Sequence, residues 1–98
     1  MLVTKSLRLP PEYHGIHPAA AQEGHEEVVW HKCQPRVSRV RVRRHTCGCK
    51  PLMFELCQAG GLLFVRRTEN RTTVTETEWL RAALAEQLWH KILLGQAR

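Results

Sequence analysis

Apolar and polar residues alternate most cleanly from Arg39 to Arg43, where Arg-Val-Arg-Val-Arg has a period of two. That period belongs to a strand with two unlike faces. The surrounding pattern predicts strands at 27–33 (EVVWHKC), 39–47, 52–58 (LMFELCQ), 62–68 (LLFVRRT) and a short Thr-rich one at 72–75. They are separated by Gln34-Pro35, by Gly48 to Pro51, by Ala59-Gly60-Gly61 and by Glu69-Asn70-Arg71. Strands this closely spaced, with Gly-bearing turns, read as an antiparallel four- to five-stranded meander.

After residue 75 the period changes. Leu80, Leu84, Leu88 and Ile92 recur at intervals of four, which predicts a helix over 76–94. Thr75 with Glu78 fits a capping box at its start, and Gly95 stands where a left-handed C-cap is expected. At ~1.5 Å per residue the helix would be about 28 Å long, enough to cross a five-stranded sheet. Residues 1–26 are punctuated by Pro10, Pro11, Gly15, Pro18 and Gly24 and hold no sustained period, so they read as an irregular N-terminal arm. The predicted fold is α+β: a single domain over 27–98, an antiparallel sheet with a long C-terminal helix packed on one face.

A simple hairpin at Cys49 would put Val42 opposite Leu56. Val40, Leu52, Phe54 and Phe64 would then share the helix-covered face. Arg39, Arg41, Arg43 and His45 would line the other face, with Met53, Glu55, Cys57, Leu63, Val65 and Arg67.

Charge sharpens this picture. The chain has 98 residues and a net charge of +6, with eleven Arg against four Lys. Residues 1–35 sum to −1, 36–50 to +6 and 51–98 to +1, so the whole excess sits on and around the Arg/Val strand. Such a concentration suits a polyanion, although an arginine-rich composition alone would also give a solvated strand face. Arg side chains two residues apart on a strand lie about 7 Å from one another, close to the spacing of phosphates. Arg36, Arg39, Arg41, Arg43 and Arg67 are therefore the candidate nucleic-acid contacts. Aromatic side chains for base stacking are missing from that face, so contact would be with the backbone. The alternative is a protein-interaction or regulatory adaptor, or a homodimer, built on the C-terminal helix, whose apolar arc is broader than one stripe. Trp89 and Leu93 are its candidate interface residues.

Four Cys and six His raise the question of zinc. The Cys spacing is not that of paired knuckles. In the hairpin register Cys57 lies about 20 Å from Cys47, which groups Cys33 with Cys57 and Cys47 with Cys49. One metal arrangement survives: Cys47 and Cys49 with His45 and an arm histidine, His14 or His17. Otherwise the cysteines are small buried hydrophobes, redox-reactive thiols or a disulfide, of which a Cys47–Cys49 bridge would close a very small, strained and easily reduced ring.

The chain contains no Asp, no phosphate-binding glycine loop and no dinucleotide fingerprint. Cys47 beside His45 lacks an orienting acid, so no enzyme is expected. No apolar run reaches signal-peptide or membrane-spanning length, which predicts a cytoplasmic protein without a membrane partner and with reduced cysteines.

Overall fold

The computed structural model describes residues 15–33 and 39–98. Five strands, β1 (His31–Lys32), β2 (Val40–His45), β3 (Leu52–Ala59), β4 (Leu62–Glu69) and β5 (Thr73–Glu76), form one antiparallel sheet. The helix α1 (Ala82–Leu93) follows, making the fold α+β. The strand order is β1-β5-β4-β3-β2. β2 to β5 are thus a meander, as expected, whereas β1 sits at the far edge, with His31 opposite Glu76. No helix among the described residues is long and apolar enough to cross a membrane.

The faces differ from the simple hairpin reading. The β2–β3 hairpin is centred on Lys50 rather than Cys49, with Arg44 opposite Leu56, and a bulge that leaves Arg43 as the extra residue then puts Val42 opposite Cys57. The β3–β4 loop holds only Gly60 and Gly61, with Ala59 opposite Leu62, so Phe64 pairs with Cys57. A change of one residue reverses every side chain. The helix-covered face therefore carries Phe54, Leu56, Leu63 and Val65, with Arg41 and Arg44 from β2 beside them. Val40, Val42, Cys57, Ala59 and Phe64 lie on the opposite face, where Trp79 stacks on Phe64 with centroids 5.3 Å apart.

α1 has 12 residues, fewer than the expected span from 76 to 94. Glu76 is still strand, and the chain from Thr77 to Leu80 stays extended against β4. Thr77 N–H donates to the Val65 carbonyl (2.9 Å), and Leu80 exchanges both backbone bonds with Leu63 (2.7 and 2.8 Å). The capping-box Thr is thus consumed by the sheet, and Arg81 becomes the N-cap without a side-chain bond. The buried stripe is Ala85, Trp89 and Ile92, while Leu84 is 53% exposed. Trp89 is 1% exposed and belongs to the chain's own core; Leu93 is half-buried against the same core.

The arm crosses the helix end and the C-terminal tail. Gly95 has φ +78°, the left-handed conformation expected of it. Ala19 N–H bonds to the Leu93 carbonyl (2.9 Å) and Gln22 N–H to the Gly95 carbonyl (2.8 Å). Further on, Glu26 bridges Ala97 in parallel, and Arg98 donates to the Ala19 carbonyl while lying over Phe54.

Candidate metal centre

The site begins with Thr46, which is fully buried just past the end of β2. Its N–H donates to the Phe54 carbonyl (2.9 Å), and its hydroxyl accepts the Phe54 N–H (2.9 Å). This double clamp fixes where β2 ends and directs Cys47 into the turn. Cys47 N–H then donates to the Ile16 carbonyl of the arm (2.8 Å). That bond carries His17 to the turn.

His17 Nε2 is 3.2 Å from Cys49 Sγ. The ligand atoms of His17, Cys47 and Cys49 all lie within 4.8 Å of one another. A tetrahedral zinc ion with Zn–S of about 2.3 Å and Zn–N of about 2.0 Å spaces its ligand atoms at roughly 3.5–3.8 Å. The three atoms are thus already gathered at nearly the right separation. Two thiols and an imidazole form a soft, nitrogen-and-sulfur donor set suited to zinc rather than to calcium or magnesium. Cys47 is 9% exposed, whereas His17 and Cys49 are exposed, so one ligand is anchored in the core and two face solvent.

The Cys49 thiol is pushed above its ordinary pKa, first by the hydrogen bond it shares with the Cys47 thiol and then by burial; Lys50 pulls the other way. A metal would have to displace the Cys49 proton, so its binding would depend on pH.

Cys47 and Cys49 are brought together as their spacing suggested, with His17 as the arm histidine. His45 is not in the group; its Nδ1 lies 3.0 Å from the Thr46 carbonyl oxygen. His14 lies outside the described residues. Cys57 sits in the far-face core, where burial raises its thiol pKa to about 11, with Cys33 near enough to add to the effect. None of the four cysteines forms a disulfide.

The expected arginine row is broken up. Arg36 lies outside the described residues. Arg43 donates to Gln58 Oε1 (2.8 Å), and Arg44 pairs with Glu86 of α1 (2.6 Å). Arg67 is 3.8 Å from Glu69 and its guanidinium lies 4.4 Å from the centre of the Trp30 ring. Arg39 and Arg41 are exposed and have no ion pair among the described residues.

A second polar feature has no local signature in the sequence. On the face away from α1, His45, Glu55, Arg66, Glu76 and His31 stand opposite one another in a row across all five strands. Arg66 is 3.7 Å from Glu55 and lies across from Glu76, which is only 5% exposed. A buried carboxylate needs such a neighbour. Only the register could have revealed it.

No known family, curated protein or solved structure matches this chain.

Proposed function

We propose that this protein is a small, basic, non-enzymatic binding module whose N-terminal arm is fastened to the β2–β3 turn by a zinc ion at His17, Cys47 and Cys49. The convergence of those three ligand atoms within 4.8 Å carries the reading. The ion ties a segment with few regular backbone bonds to the edge of a sheet, and its binding free energy adds to folding.

The partner of this module is a polyanion, with nucleic-acid backbone as the chemistry its charge favours. The exposed Arg39 and Arg41 and the net charge of +6 support that reading, while the engagement of Arg43 with Gln58 and of Arg67 with Glu69 and Trp30 narrows it to fewer contacts than five.

Metal content by plasma mass spectrometry tests the first part. One equivalent of zinc per chain is expected, lost in His17→Ala, Cys47→Ser and Cys49→Ser but kept in Cys33→Ser. A metal-free, folded wild type refutes it. For the second part, a mobility-shift series in increasing salt should show affinity falling with a log–log slope of about 0.9 per phosphate contacted. The double change Arg39→Gln, Arg41→Gln should flatten that slope by about two contacts; a slope it leaves unchanged removes β2 from the contact surface.

A further inference from the structure

We propose that the ion at His17, Cys47 and Cys49 takes a phosphoryl oxyanion as its remaining ligand, held by Lys50 and Arg71 in the cleft that opens beside Cys49. The inference rests on the metal reading above and names what that centre binds.

Two independent observations meet at Cys49. The described residues supply three donors, and a zinc ion takes four. Cys49 also forms one wall of a cleft of about 260 Å³ lined with Lys50, Pro51, Asn70 and Arg71. The cleft and the ligand set therefore share a side chain. Among the described residues no carboxylate lines that cleft, and Lys50 and Arg71 have no ion pair.

The two cations come from different turns that are locked together. Lys50 follows Cys49 directly and lines the same cleft. Arg71 comes from the β4–β5 turn, and Asn70 N–H donates to the Pro51 carbonyl (2.7 Å), which holds that turn against the cysteine turn. Asn70 and Arg71 have φ of 51° and 64°, the paired left-handed conformations of a type I′ turn. Glycine is the residue of least cost at the second position, yet an arginine stands there.

Charge selects the class of ligand. Two thiolates neutralise a divalent ion, so the attraction for an anion comes from Lys50 and Arg71 rather than from the metal. The fork of an arginine matches the oxygens of a phosphoryl group, a lysine adds a point charge, and an oxygen donor completes a zinc tetrahedron. Free phosphate and the phosphodiester of a nucleic acid share this chemistry.

The test uses the full chain loaded with cobalt(II), whose visible bands report on its ligands. Inorganic phosphate and a thymidine dinucleotide monophosphate are titrated separately, with ³¹P relaxation measured in parallel. Phosphate should shift the cobalt bands and broaden its own ³¹P signal. Arg71→Gly should weaken that response at least about tenfold without lowering the melting temperature, because glycine relieves the left-handed backbone. A response to both ligands assigns the site to nucleic-acid backbone as well as free phosphate; a response to one alone assigns it to that source. Bands indifferent to both ligands while cobalt is bound overturn the proposal. A phosphate-free spectrum altered by His14→Ala does the same, since it reveals a fourth protein ligand. Failure of cobalt to bind at all removes the metal centre itself, and this proposal with it.

Discussion

Replacing Gly95 by Ala attacks the point where the arm meets the helix end. Gly95 has φ +78°, and a Cβ built there collides with the Ala20 carbonyl oxygen. Two costs arise. The left-handed backbone penalises a residue with a Cβ by about 1 kcal/mol. The collision is with backbone, so Ala20 must move. The bonds from Ala19 N–H to the Leu93 carbonyl and from Gln22 N–H to the Gly95 carbonyl go with it, at about 1 kcal/mol each. The sum is about 3 kcal/mol, a fall in melting temperature of roughly 12–18 °C for a domain of this size. Gly60→Ala is the control. Its φ is +61°, but nothing lies within 4 Å of the added Cβ, so only the first cost applies and the fall should be roughly 4–6 °C. Thermal unfolding followed by circular dichroism measures both, and amide exchange at Ala19 and Gln22 shows whether the arm has lifted. Equal destabilisation by the two substitutions would refute the docking of the arm on the helix end, and with it the path that brings His17 to Cys49.

Two further outcomes follow from buried groups. Cys57 is fully buried and its thiol pKa is raised from 9.0 to about 11, so between those values the unfolded chain loses a proton that the folded chain keeps. Stability should be unaffected by this group below pH 9 and should fall as pH rises from 9 to 11, by about 2–3 kcal/mol in all. Urea unfolding of wild type and Cys57→Ala across that range measures it, and a stability difference that does not change with pH would show the thiol to be unshifted. Arg66→Met should cost about 1 kcal/mol, because it removes the guanidinium 3.7 Å from Glu55 and across the ladder from the buried Glu76. Adding Glu76→Gln should recover part of that loss, and strictly additive effects would contradict the cross-sheet row.

The strands were legible because alternation and glycine turns are local signals, and four of them pair in chain order. Their faces were not. The bulge at Arg43 and the two-residue Gly60-Gly61 loop each move the register by one, and nothing in Val-Arg-Arg-His marks an extra residue. The early helix start failed for another reason: Thr75 and Glu78 do spell a capping box, but residues 77–80 gain sheet bonds to β4 that local propensity cannot anticipate. β1 is two residues long, and its place beside β5 is decided by pairing rather than by spacing. At the site, Cys47 and Cys49 could be read as a turn pair because they flank Gly48. Their histidine could not be chosen by alternation, since both cysteines lie beyond the end of β2, where strand periodicity no longer orients side chains. The choice of His17 depends on the docking of the arm at Gly95, a contact nearly eighty residues away in sequence.

Zinc K-edge X-ray absorption on the purified protein tests the central claim most directly. A first shell with two sulfurs at about 2.3 Å and nitrogen or oxygen at about 2.0 Å is expected, lost on Cys47→Ser. A shell of four sulfurs would contradict it, because Cys33 and Cys57 would then have to join Cys47 and Cys49, and so would a folded protein that holds no zinc.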